Sequence, residues 1–177
     1  AISPASNLNI YTTTASGYAG YAYYPNSFDE SSYMHGVVLN DFAVSGGSYP
    51  YDAGDTAVHE VGHYLHLYHT FEGDGGDNNG DNIGDYCPTD NMNPGVELRD
   101  NSDGCADTDP HRRYMGYCKS GEFNECTNTT FTDNSARNVM SYSTCKERLT
   151  NDQKARSRAM LSTSGSSLIY SIGDQEP

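Results

Sequence analysis

The sequence predicts a mixed α/β (α+β) domain. A short sheet supports one histidine-bearing helix, and a loop-rich, cysteine-stapled second half closes with another helix. Three observations carry this reading. Between residues 1 and 50 the apolar residues fall in short β-branched and aromatic runs bounded by Gly and Pro. From Asp55 the spacing changes to three and four, with Ala57, Val61, Tyr64 and Leu65 flanking or opposing a face that carries His59 and His63. All five cysteines (Cys87, Cys105, Cys118, Cys126 and Cys145) then lie downstream, among few apolar residues.

In order, strands are expected over 8–14, within the Gly/Tyr segment 17–25 that ends at Pro25, and over 36–42, whose Val37-Val38-Leu39 run suits a buried strand. The many tyrosines read as sheet-packing residues with their hydroxyls in water. Helix begins near Asp55-Thr56, either of which can cap it. One face of that helix buries against the sheet while the other presents histidines. Residues 72–85 hold Asp, Asn and Gly with almost nothing apolar, so they cannot build core. Their oxygens suit Ca²⁺, and a calcium site within 72–110 is preferred over a merely solvated acidic loop, although the segment is no EF-hand loop. Residues 86–130 read as disulfide-stapled loop, with Asn128-Thr129-Thr130 a glycosylation acceptor. Thr150 to Gln153 matches a capping box and opens a helix of about a dozen residues that fades after Ser162. His35 reads as a surface or packing residue and His111 as a surface residue.

Composition narrows the function. Among 177 residues, 24 acidic against 10 basic side chains give a formal charge of −14, which opposes nucleic acid and anionic membranes as partners. Low hydrophobic content, 35%, with 15 Tyr and 18 Gly points to a secreted, loop-rich protein. No apolar run is long enough to span a bilayer, and Ala1 reads as a processed or trimmed start. No cysteine pair forms a CxxC knuckle, so the five read as two disulfides plus one odd thiol, with connectivity open.

The chemistry concentrates in 58–69. His59 and His63 sit one helical turn apart, and two imidazoles so placed can share a metal ion with Glu60 beside them as base. His69 follows six residues later and completes a set of three nitrogens if the chain turns near His66. Three neutral imidazoles leave Zn²⁺ an open position for water, whose pKa falls toward about 7. Glu60 can take its proton during attack on a carbonyl and pass it to the leaving amine. If instead the helix continued through His66, that ring would return to the same face about 10 Å along the axis, far for shared ligation. His69 is therefore preferred as the third ligand.

The stretch 59–69 resembles HExxHxxGxxH, the zinc signature of metzincin peptidases, with His66 in the glycine position. Ala136 to Cys145 resembles the metzincin Met-turn. Asn138-x-Met140-x-Tyr142-Ser143, the later Leu149-Thr150-x-x-Gln153-x-x-Arg156, and the upstream Leu8-Asn9-Ile10-Tyr11 and Gly36-Val37-Val38-Leu39 are similar to the pappalysin family. The resemblance implies one catalytic domain over 1–177. Its upper lobe, 1–69, would hold a twisted, mostly parallel sheet and the zinc helix; its lower lobe, 70–177, the acidic loop, Met-turn and C-terminal helix. It implies a monomeric secreted zinc endopeptidase acting on protein or peptide substrates. His59, His63 and His69 would bind zinc, Glu60 would act as general base and acid, Met140 would underlie the zinc, and Tyr142 would donate to the oxyanion. It also implies structural calcium, with Asp81 and Asp85, and Asp107 with Thr108, as candidate ligands.

Three departures stand out. His66 must make a turn that glycine makes freely. The sequence starts after the strand and helix that usually precede the Leu-Asn-Ile-Tyr strand, so either that part lies outside it or the upper lobe is reduced. Cys145 stands closer to the Met-turn than its family counterpart, so the family's disulfides do not transfer. The competing class is a calcium-dependent binding or adhesion module with a non-catalytic metal site; a third is a zinc hydrolase acting on another ester or amide.

Overall fold

The computed structural model describes residues 2–14, 17–49, 51, 53–88 and 103–163. The contacts divide the chain into two units, one formed by residues up to Leu67 together with the chain from Ala155 onward, the other by Tyr68–Lys154.

The first unit contains strands β1 (Asn9–Thr13), β2 (Gly20–Ala22) and β3 (Gly36–Asn40), followed by α1 (Asp55–Tyr64). The sheet order is β1-β3-β2. β1 pairs with β3 in parallel, Ile10 opposite Val37 and Thr12 opposite Leu39, whereas β2 runs antiparallel to β3. The three strands of this sheet thus give one parallel and one antiparallel pair. β3 is central, which is why its Val-Val-Leu run is continuous rather than alternating: four of its five residues are buried. Val37, Leu39 and Tyr64 form the core, with Leu8, Ala22, Val44, Ala57, Val61 and Leu65 packed around it. Burial of Val37 and Leu39 contributes about 2 kcal/mol each. Ala57, Val61, Tyr64 and Leu65 are the helix face expected to meet the sheet.

One cap differs from expectation. The N-cap of α1 is Gly54, at φ +86°, with no side-chain cap, and Asp55 is already the first helical residue. Asp55 instead places a carboxylate in the first turn, where the helix dipole favours it.

The second unit has little regular structure: a hairpin of β4 (Phe123–Asn124) and β5 (Thr129–Thr130), the single turn α2 (Asp133–Ala136) and the start of α3 (Asn151–Thr163). Cys87–Cys126 and Cys118–Cys145 are bonded, and Cys105 is a buried thiol outside both disulfides. Closing loops of 39 and 27 residues stabilises the folded state by about 4 kcal/mol each in the chain-entropy description. The acidic loop is ordered by its own side chains. Asp77 accepts from the backbone N–H groups of Gly80, Asp81 and Asn82, and Asp81 accepts from that of Ile83. Carboxylates thus replace core as the organising element there.

His111 is no surface residue. It is 4% exposed, packed edge-on against Phe71 and Phe131, and its Nδ1–H donates to the Arg112 carbonyl at 2.7 Å while Nε2 meets the Thr70 hydroxyl at 2.9 Å. Burial holds its pKa below the ordinary histidine range. Its neighbours Arg112 and Arg113 made it read as surface; both nitrogens being satisfied is what permits burial. His35 is a packing residue, 3% exposed, with Nδ1 at 3.1 Å from the Tyr64 hydroxyl.

Candidate metal centre

Helix α1 ends where the chemistry requires it to. Leu67 N–H donates to the Gly62 carbonyl and His66 N–H to that of His63, both at 2.9 Å, which is the paired bonding of a Schellman end. That end puts the residue after the cap in the left-handed region, and His66 stands there at φ +68°. The alternative of a helix continuing through His66 is excluded, and the chain turns immediately before His69.

Within α1, His59, Glu60 and His63 are all buried. The two imidazoles stand edge to face, ring centroids 4.7 Å apart, with their Nε2 atoms separated by 3.1 Å. His63 Nδ1–H donates to the Leu67 carbonyl at 2.8 Å, which in the neutral ring puts the proton on Nδ1 and leaves Nε2 an acceptor. Burial lowers the His63 pKa, against an opposing pull from that carbonyl. Tyr24 packs edge-on to the same ring, centroids 5.9 Å apart.

One ring nitrogen from each of His59, His63 and His69 lies within 4.8 Å of the others, and no other three His, Cys, Asp or Glu side chains among the described residues gather in this way. The set fits zinc. Two nitrogens on one tetrahedral ion, each about 2.0–2.1 Å from it, stand about 3.3 Å apart, close to the observed Nε2 pair.

His69 is oriented by its own surroundings. Its ring stacks on Phe71 at 4.6 Å and 10°, and Tyr142 meets it edge-on at 5.0 Å. The Arg113 guanidinium lies over the rings of Phe71 and Tyr142, 5.0 and 5.8 Å from their centroids, and is anchored by the buried Asp74 at 3.3 Å. Met140 is fully buried in a tight turn: Ser141 N–H donates to the Asn138 carbonyl, Met140 N–H to the Asn138 side chain, and Thr70 N–H to the Met140 carbonyl.

The candidate calcium residues are less coherent. Asp85 accepts from Asn78, Asp107 accepts from the Asp152 N–H, and the Thr108 hydroxyl donates to Asp103. Asp81 and Asp85 are engaged in their own loop, apart from the Asp107 and Thr108 bonds.

Sequence reasoning missed Gly20. A Cβ there would stand 2.9 Å from Glu60 Cγ, 3.0 Å from the Val38 carbonyl oxygen and 3.1 Å from Thr56 Cγ2. Strand β2 therefore passes flush against the Glu60 side chain, and only glycine leaves it room. Gly17-Tyr-Ala-Gly20 reads simply as a Gly/Tyr strand, and nothing local marks which glycine faces the helix.

The family described as pregnancy-associated plasma protein-A, the M43 peptidases, matches residues 5–162. An extracellular metalloprotease of Colletotrichum graminicola is 42% identical over 117 residues, 63% of this chain and 42% of that protein. One from Neurospora crassa is 32% identical over 156 residues, 85% of this chain and 46% of that protein. Mirolysin in complex with compound 9 superposes with a TM-score of 0.75 at 27% identity, covering 100% of this chain and 62% of mirolysin. Mature mirolysin of Tannerella forsythia in complex with a cleaved peptide gives 0.72 at 26%, covering 99% and 61%. The chain thus spans under half the length of these fungal relatives. No described helix is long and apolar enough to cross a membrane. A metzincin fold, the histidine set and the match over most of its length place this chain in the pappalysin-type M43 family of metallopeptidases.

Proposed function

We propose that this chain is the catalytic part of a secreted zinc endopeptidase. His59, His63 and His69 hold the ion, Glu60 is the general base and acid, and Tyr142 donates to the oxyanion. The observation that carries this is the convergence of three histidine nitrogens within 4.8 Å, with the buried Glu60 adjacent in sequence to the first. When bound, zinc supplies a water acidified toward neutrality and polarises the scissile carbonyl. Glu60 accepts the proton lost as water attacks and returns it to the departing amine; its burial keeps that transfer away from bulk solvent. The Tyr142 hydroxyl donates to the carbonyl oxygen as charge builds on it. Met140 gives the histidine set an apolar, sterically fixed underlay. Protein or peptide substrates follow from this chemistry, and the chain acts as a monomer.

Calcium belongs to the same proposal as a structural ion, with Asp81 and Asp85, or Asp107 and Thr108, as its ligands.

The test is casein hydrolysis by the purified chain with and without 1,10-phenanthroline, beside Glu60→Ala. Activity should vanish in both cases while Glu60→Ala still binds zinc. Cleavage surviving both treatments would sink the reading.

A further inference from the structure

His66 occupies a left-handed backbone position that disfavours any side chain, yet the turn it makes is fully formed. Something other than glycine's freedom must hold it, and α3 supplies two grips on this one residue. Arg156 Nε–H donates to the His66 carbonyl at 2.8 Å. The His66 ring nitrogen Nδ1 meets Met160 Sδ at 3.2 Å. Arg156 and Met160 are four apart, hence on one face of α3. On the other side, the Tyr24 ring stands 5.7 Å from that of His66, and it is the same Tyr24 that packs against His63. Backbone and side chain of His66 are therefore both fixed, by different atoms of one helix. A glycine at 66 would keep the Arg156 bond and lose the ring contacts.

We propose that Arg156 and Met160 are positioning residues. They lock the helix-ending turn at His66, and with it the presentation of His69, doing through side-chain contacts what glycine would do through backbone freedom. The proposal rests on His69 being a metal ligand. Its signature is coupling: the Met160 contribution exists only when residue 66 has a ring, whereas that of Arg156 persists because it holds a carbonyl.

The experiment measures Zn²⁺ affinity of the purified chain by competition with a chromophoric chelator, and melting of the metal-free protein. Met160→Ala and Arg156→Gln should each weaken zinc about tenfold, the lower end for groups that orient ligands. In a His66→Gly background, Met160→Ala should leave zinc affinity unchanged, while Arg156→Gln still weakens it. Arg156→Lys should recover part of the loss. Unchanged affinity in both single variants, or an equal Met160→Ala loss in both backgrounds, overturns the clamp; equal loss would mark Met160 as ordinary packing, and metal-free melting should then fall alike in both. His69→Ala separates the premises. Retained zinc binding refutes the ligand assignment and the clamp with it, whereas lost binding beside unaffected clamp variants refutes the clamp alone.

Discussion

Gln153→Ala should be the most destabilising polar substitution in the second unit. Gln153 is 1% exposed, and its amide serves two structures at once. Its Oε1 accepts from Thr150 N–H at 2.9 Å, closing a capping box in which Gln153 N–H donates back to the Thr150 hydroxyl at 3.2 Å. The same amide exchanges a reciprocal pair with Asn138, at 3.0 and 3.1 Å, and Asn138 in turn holds Met140 N–H at 2.9 Å. Truncation leaves Asn138 partly served, because its Nδ2 still reaches the Asn134 carbonyl. Thr150 N–H is orphaned in a buried position, costing about 1–3 kcal/mol, and the two lost side-chain bonds add about 1 kcal/mol each. A total near 4 kcal/mol should lower Tm by roughly 8–16 °C for a chain of this length. Thermal melting followed by circular dichroism, with the disulfides intact, measures it. Gln153→Glu should also destabilise, because its carboxylate meets the Asn138 oxygen. A fall below about 3 °C for Gln153→Ala would refute the network.

Three further outcomes are expected. Stability should fall in acid through His111: its folded pKa is depressed, so the unfolded chain binds a proton first as pH drops below about 6.5, and the loss levels off below the folded value. Denaturant titrations of the metal-free chain between pH 7.5 and 5 should show a gentler slope for His111→Gln, by at most about 1.4 kcal/mol per pH unit; equal slopes would contradict this. Gly20→Ala should displace Glu60, lowering kcat by about tenfold or more with zinc affinity unchanged, given the 2.9 Å approach to Glu60 Cγ; wild-type turnover would mean that β2 does not confine Glu60. Removal of Ca²⁺ with a selective chelator should lower Tm or speed autolysis, and no change in either would eliminate a structural calcium.

The sheet, α1 and α3 were legible because their signals are local: β-branched runs, four-residue spacing and a capping box, each realised in the structure. The histidine set was legible for the same reason, since an i,i+4 pair and a short turn require no long-range information. His111 was misread because its burial depends on Thr70, Phe71 and Phe131, about 40 and 20 residues away, and on both ring nitrogens finding partners. The α1 cap was misassigned because Gly54 closes the helix by backbone conformation alone. Gly20 was invisible because what matters there is the absence of a Cβ facing another element. Disulfide pairing, likewise, is a property of how loops meet in space.

The order in which the half-cystines pair has a consequence for how this chain answers a backbone cut. Cys118 lies inside the segment closed by Cys87–Cys126, and Cys126 inside the one closed by Cys118–Cys145, so the two bridges interlock along the chain. A single backbone cut anywhere between 87 and 145 therefore releases nothing: whichever interval is severed, at least one bridge still spans it. Even two cuts in different intervals leave every piece covalently attached. A single nick in this region would leave no separated fragment on a non-reducing gel and would release one only once thiol is added.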